Sequence, residues 1–347
     1  MKKILFCGGG SAGHVIPNIA IIENLEGITQ NYYIGTDGIE SKICAENNIK
    51  FYKCDAVKLV RGKIVCNLAL PFKLLKSIKK AGEILDEVKP DLVFCKGGYA
   101  CVPPAIAAKK KNIPVITHES DVSAGLANKF IAKNCCKVLT TFPSTARNFR
   151  FGICTGSPMR QKLFGRNKAL AREYYGLDMR PTVLVLGGGS GSKIINENLR
   201  KCALKICKRY NILHLCGRGN TMDTNIYGYK QVEFESDMGL AYACADFAIS
   251  RCGSNAANEL IALKIPTLFI PLQNKRTRGD QVKNAELFRD AGLCRVLYES
   301  ELTPSSLEEN IERLINDKNL KNALQKSAVK CGNDNIIKEI MNTLSNK

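Results

Sequence analysis

Short apolar, β-branched runs alternate along this chain with longer stretches whose apolar residues recur every three or four positions. The runs fall at 4–7, 32–35, 51–54, 92–95, 115–117 and 138–141, and after Thr155-Gly156-Ser157-Pro158 they restart at 182–186, 212–215, 232–234, 247–250, 267–270 and 295–297. Such alternation predicts βαβ units around parallel sheets. Two sets of units predict two domains, 1–157 and 158–347. The Lys-rich stretch from Glu308 onward reads as one or two amphipathic helices closing the fold. From Pro71, Lys73, Lys76, Lys80, Glu83 and Glu87 share one helical stripe and Leu74, Ile78, Ala81 and Leu85 another.

A length of 347 residues suits two domains, each large enough for a core. An apolar share of 45% and a charged share of 24% exclude a disordered or fibrous chain. The net charge of +19 does change the picture. It is spread over both halves and implies attraction to polyanions, whether nucleic acid, anionic membrane or phosphorylated substrates. Sixteen cysteines are scattered with no C-x-x-C pair, which reads as reduced thiols serving as small hydrophobes. The first apolar run ends at Gly8, too short for a signal peptide, and no stretch approaches the roughly 20 apolar residues of a membrane span. Contact with a membrane is therefore expected from the cytoplasmic surface.

Both sets of units open alike. Residues 4–7 run into Gly8-Gly9-Gly10, and residues 183–186 run into Gly187-Gly188-Gly189. A glycine turn followed by a helix presents backbone N–H groups to phosphate. Gly8 to Gly13 also fits G-x-G-x-x-G, with Asp37 where a ribose-binding acid would stand, so an NAD(P) oxidoreductase is one alternative. His14, on that turn, is either a helix cap or a base able to take a proton near neutral pH. The stretch Ser250 to Glu259 opens a second amide-rich helix, where Glu259 either accepts the two hydroxyls of a ribose or only complements the helix dipole. Gln281 lies in a polar loop after a buried strand and can address sugar hydroxyls. Residues 58–80 carry seven basic side chains and no acid, interleaved with apolar ones. They fit an anionic lipid surface or an ordinary packed amphipathic helix. Three dispersed histidines and the absence of D-x-D argue against a bound metal. With 7% aromatic residues and no known module, a nucleic-acid binder is not supported.

In order, these motifs resemble the MurG family of bacterial N-acetylglucosaminyl transferases of peptidoglycan synthesis. The residues that carry the resemblance are Gly9 to Pro17, Arg61-Gly62-Lys63, Gly97-Gly98-Tyr99 with Pro103, His118-Glu119, and Gly125 to Lys129. They continue through Gly156 to Arg160, Gly187-Gly188-Gly189, Arg251 to Glu259, and Gln281 with Asn284-Ala285. The resemblance implies the α/β GT-B glycosyltransferase fold, two Rossmann-like domains with parallel sheets facing across a cleft. The first domain would meet acceptor and membrane, and the second would bind the UDP-sugar. It further implies inverting transfer of N-acetylglucosamine from UDP-N-acetylglucosamine to the 4-hydroxyl of the muramyl unit of lipid I, giving lipid II.

By the same resemblance His14 is the candidate base, with Glu119 or Asp121 as runner-up. Glu259 would hold the ribose, Arg160 and the turn of Gly253, Ser254 and Asn255 would face the diphosphate, and Asp280 with Gln281 would contact the sugar. Ser11, Gly13, Asp121, Asn128, Gly189 and Ser190 join them as substrate-binding positions. The partners implied are UDP-N-acetylglucosamine, lipid I, the anionic cytoplasmic face of the cell membrane and other cell-wall synthesis proteins, with no cofactor and no nucleic acid. Three departures stand out: Gly189 where the family commonly has Ser, Asp121 where it has Asn, and a longer, more basic loop at 274–279. Ser190 or Ser192 could replace the missing hydroxyl. The departures leave open another lipid acceptor, such as diacylglycerol.

Overall fold

The computed structural model describes residues 1–56, 70–273 and 279–346, and divides into two compact units, residues 1–160 with 331–347 and residues 161–330. The first unit runs β1 (Lys3–Cys7), α1 (Ala12–Asn24), β2 (Gln30–Gly35), α2 (Ile39–Glu46), β3 (Lys50–Lys53), α3 (Leu70–Val88) and β4 (Leu92–Cys95). It continues with α4 (Val102–Lys110), β5 (Val115–Glu119), α5 (Leu126–Ile131), β6 (Lys137–Thr140), α6 (Pro143–Ala146) and β7 (Gly152–Cys154). Its seven strands lie parallel in the order β3-β2-β1-β4-β5-β6-β7.

The second unit runs α7 (Lys168–Tyr175), β8 (Thr182–Leu186), α8 (Lys193–Ile206), β9 (Asn211–Leu215), β10 (Tyr229–Val232), α9 (Met238–Cys244) and β11 (Phe247–Ser250). Then come α10 (Ser254–Ala262), β12 (Thr267–Phe269), α11 (Asp280–Asp290), β13 (Arg295–Val296), α12 (Pro304–Ile315) and α13 (Lys318–Lys326). Its six parallel strands follow the order β10-β9-β8-β11-β12-β13. In both units the order reverses beside the first strand, and ligands of such sheets bind outside the carboxyl ends at that switch point.

Strands covered on both faces explain the continuous apolar runs. On β1 and β4, Leu5, Cys7, Val93 and Cys95 point to a core shared with α3 and α4, while Ile4, Phe6, Leu92 and Phe94 point to the opposite core. That opposite core also takes Ile336, Ile340 and Leu344 from the last helix, α14 (Asn333–Ser345). Their i, i+4, i+8 spacing places them on one face. Lys137 pairs with Glu339 at 2.7 Å, and Asn333 exchanges two hydrogen bonds with the Met159 backbone, at 3.0 and 2.7 Å.

The expected domain of 158–347 is corrected accordingly. The division falls after Arg160, and the chain returns to the first unit from Cys331. Two strands also differ from expectation. Pairing with β9 runs from Tyr229 to Val232 rather than over 232–234, because Phe234 is exposed beneath the Arg218 guanidinium. The three-residue edge strand β7 has no apolar run to announce it. Residues 58–69, with Arg61-Gly62-Lys63, lie outside the described residues, as do 274–278 of the basic loop.

Candidate functional site

In the first unit β1 delivers the chain to Gly8-Gly9-Gly10-Ser11, and α1 starts at Ala12 with Ser11 as its N-cap. Pro17 sits inside this helix. Ser11 and Gly13 are exposed and His14 half-buried. The His14 ring packs on the other turn of the switch point: a Cβ at Gly98 would lie 3.1 Å from its Cδ2 and 2.9 Å from the Gly9 carbonyl, and Gly98 has φ +83°. Only glycine admits both the backbone angle and the approach of the ring. Underneath lies Glu40, fully buried, which accepts from the Thr36 N–H at 2.9 Å, the Thr36 hydroxyl and the Gly10 N–H at 3.4 Å. Asp37, the acid of the dinucleotide reading, is instead paired with Lys53 at 2.8 Å.

The turn after β5 is bonded throughout. Glu119 accepts from the N–H groups of Asp121 (3.0 Å) and Gly125 (2.9 Å) and from the Asn128 amide (2.8 Å). With three donors and 4% exposure the Glu119 carboxylate holds the turn. The Asn128 amide also reaches the His118 carbonyl (3.4 Å) and accepts from the Thr117 hydroxyl (3.2 Å), so this expected substrate-binding residue is tied into the turn through Glu119. Asp121 remains half-buried in the turn. Buried His118 donates from Nε2 to the Gly156 carbonyl at 2.9 Å, and burial with nearby Lys96 holds its pKa well below the ordinary 6.5. Arg160, the last residue before the chain leaves this unit, has a buried Nε with no partner among the described residues.

In the second unit the turn from Gly187 to Ser192 joins β8 to α8, with Gly188, Gly189 and Ser190 exposed. Ser192 Oγ is buried without a partner among the described residues. On the other side of the switch point Gly253 caps α10, and no atom lies within 4 Å of where its Cβ would be. Ser254 is buried there and Asn255 half-buried. The Glu259 carboxylate, half-buried one turn into α10, accepts from the Tyr242 hydroxyl at 2.7 Å. That bond orients one oxygen. Gln281 Oε1 accepts from the Leu272 N–H at 2.9 Å, which fixes its amide at the end of β12, and Asp280 opens α11 beside it. Arg251 does not point outward. Its guanidinium donates to the Ile270 carbonyl at 2.9 Å and to Glu299 at 2.5 Å, and Glu299 also accepts from the Gln273 N–H at 2.8 Å. Among the described residues no group of three or more His, Cys, Asp or Glu side chains could hold a metal ion.

Glu40, Lys96, Tyr242 and Glu299 were missed by sequence reasoning. Only Lys96 has a local signal, a cation ending the apolar run of β4 directly before Gly97-Gly98. The other three are recruited from separate elements by the fold.

Two Rossmann-type sheets, one offering an open amide turn beside a held carboxylate and the other a histidine between glycine turns, define a glycosyltransferase of the GT-B class. The glycosyltransferase family 28 N-terminal domain matches residues 4–140, and its C-terminal domain matches 182–343. The chain is 41% identical over 340 residues to the UDP-N-acetylglucosamine--N-acetylmuramyl-(pentapeptide) pyrophosphoryl-undecaprenol N-acetylglucosamine transferase of Clostridium novyi, covering 95% of each. It is 41% identical over 346 residues to that of Clostridium kluyveri, covering 97% of this chain and 98% of the relative. Among solved structures, MurG of Acinetobacter baumannii aligns over 99% of this chain and 100% of its own, with TM-score 0.77 and 26% identity. A calicheamicin glycosyltransferase shares the fold at TM-score 0.73 and 15% identity. The chain belongs to the MurG family of glycosyltransferase family 28.

Proposed function

We propose that this protein transfers N-acetylglucosamine, with inversion, from UDP-N-acetylglucosamine to the 4-hydroxyl of the muramyl unit of lipid I, giving lipid II. The observation that carries the reading is 41% identity along 95% of the chain to a transferase named for that reaction. Direct displacement at an α-linked sugar needs a base on one side of the carbon and a stabilised diphosphate on the other. His14 is the base, exposed enough to reach a hydroxyl and held by Gly98. The amide turn at Gly253, Ser254 and Asn255, with the dipole of α10 and Arg160, meets the diphosphate. Glu259, with one oxygen oriented by Tyr242, receives the ribose diol, and Asp280 and Gln281 receive the sugar. Gly189 and Ser190 lie on the donor side, Ser11, Gly13 and Asp121 on the acceptor side.

The acceptor's polyprenyl chain stays in the bilayer, so the first unit lies on the cytoplasmic face of the membrane. No helix among the described residues is long and apolar enough to cross it. Phe72 (77% exposed) and Leu75 (60%) on α3 stand among Lys73, Lys76, Lys79 and Lys80, and exposed Leu126 and Phe130 on α5 flank Lys129. Apolar side chains within a basic surface are what an anionic lipid face takes. Other cell-wall synthesis proteins are further partners of this reading. The test is UDP release from UDP-N-acetylglucosamine with and without a soluble lipid I analogue. Acceptor-dependent release that persists with chelator supports the reading. Saturable UDP binding with no release on that acceptor moves the acceptor to another membrane lipid such as diacylglycerol.

A further inference from the structure

One charged side chain of the first unit has no part in the scheme above. Lys96 follows β4 immediately before Gly97-Gly98 and is 2% exposed. A buried ammonium is costly unless anions and acceptors surround it. Here Nζ donates to Ser120 Oγ, and the carboxylates of Glu119 and Asp121 lie within its electrostatic reach. His118 of β5 and Cys101 of the short turn Tyr99–Cys101 are the other titratable groups facing it. These residues come together because β4 and β5 are parallel, hydrogen-bonded neighbours in which Cys95 pairs with Thr117, so Lys96 follows β4 alongside the last residues of β5.

The backbone of the 120–125 turn is held by other groups. Besides the Glu119 bonds, the Thr145 hydroxyl lies 3.3 Å from the Asp121 carbonyl and 2.8 Å from that of Val122. Lys96 therefore adds something distinct, a positive charge beneath a turn that carries a carboxylate at 121. We propose that Lys96 is a positioning residue for the transfer: its buried ammonium pins Ser120 and offsets the Asp121 carboxylate, so that the turn presents Asp121 to the acceptor sugar. This rests on the acceptor reading of the first unit.

Burial brings the Lys96 pKa down to about 8 against the pull of Glu119 and Asp121, so its charge is lost just above neutral pH in the folded chain. A double-mutant cycle on acceptor-dependent UDP release, with the soluble lipid I analogue, tests the assignment. Lys96→Met is expected to lower kcat/KM for the acceptor about tenfold while leaving the donor KM unchanged. Asp121→Asn costs activity in the wild type but recovers about threefold or more in the Lys96→Met background, because removing the carboxylate removes the need for a countercharge. Losses that simply multiply overturn the inference.

Should Lys96→Met melt below the assay temperature, pH decides. The wild type then shows acceptor kcat/KM falling above pH about 8, and Asp121→Asn lacks that limb; a limb shared by both, or absent from the wild type, overturns the inference. A wild type that releases no UDP with this acceptor overturns the transferase reading itself. An active wild type with independent losses overturns the Lys96 role alone.

Discussion

The two glycine turns look alike as sequence, Gly8-Gly9-Gly10 after β1 and Gly187-Gly188-Gly189 after β8, yet the space around them is different. A Cβ on Gly9 would overlap the Glu40 carboxylate, whereas nothing lies within 4 Å of one on Gly189. In the first unit glycine makes room for the protein's own side chains, with a buried anion below and the His14 ring against Gly98. In the second, Gly187 is packed against Gly191 and Ser192, but Gly188 and Gly189 beyond it leave open space above the chain. The same turn thus serves internal packing in one unit and access in the other. The sequence motif specifies the turn but not which of these it serves.

The comparison is broken most directly at the groups that act beyond each turn. His14→Ala is expected to lower kcat by roughly 10² to 10⁴, the usual worth of a positioned base. UDP affinity, which the proposed scheme assigns to the other unit, stays unchanged, and steady-state kinetics beside UDP titration separate the two. Turnover at the wild-type rate would return His14 to a packing role. Glu259→Ala has the complementary effect. Loss of a charged hydrogen-bond acceptor for the ribose weakens donor binding roughly 10- to 100-fold, while kcat at saturating donor changes less. Equal donor affinity in wild type and variant would free Glu259 of the ribose.

These positions also show what the chain makes visible before folding. The sheets were legible because strands buried on both faces must be continuously apolar, and the turn that opens α10 because Gly253 to Glu259 is local. Groups brought in from afar were not: Glu40 reaches the first turn from α2, Tyr242 reaches Glu259 from α9, and Glu299 reaches Arg251 across 48 residues. Asn128 and Glu119 were seen as a motif, but only their mutual bond shows that they hold the turn. The last helix was misassigned because an amphipathic face does not reveal which core it covers.

A smaller effect sharpens the contrast in the turns themselves. Gly9→Ala forces the new methyl against Glu40, and overpacking of this kind costs roughly 1–3 kcal/mol. Gly189→Ala meets no atom and stays within about 0.5 kcal/mol of wild type. Thermal melts of the two variants side by side check this. Equal melting temperatures would mean that Glu40 moves aside and that the first turn is as open as the second.

The smallest effect concerns a histidine that resembles His14 only in type. His214 is fully enclosed on β9, where Nδ1 accepts from the Tyr229 hydroxyl at 2.8 Å and Nε2–H donates to Asn196 Oδ1 at 3.0 Å. This pairing requires the neutral ring. Burial, with the Arg200 charge, pushes the pKa from 6.5 to about 3. A pKa lower in the folded than in the unfolded chain means that the unfolded state alone takes up a proton as pH falls below 6.5. The stability His214 confers is therefore whole above pH 6.5 and lost progressively toward pH 3, at about 1 kcal/mol per pH unit. Between pH 6 and 5 the melting transition of the second unit should fall, and His214→Gln, which cannot take the proton, should show a shallower fall. Parallel slopes in wild type and variant would mean that the acid sensitivity arises elsewhere. His118, buried in the first unit with its pKa also held down, is the next group to test by the same substitution.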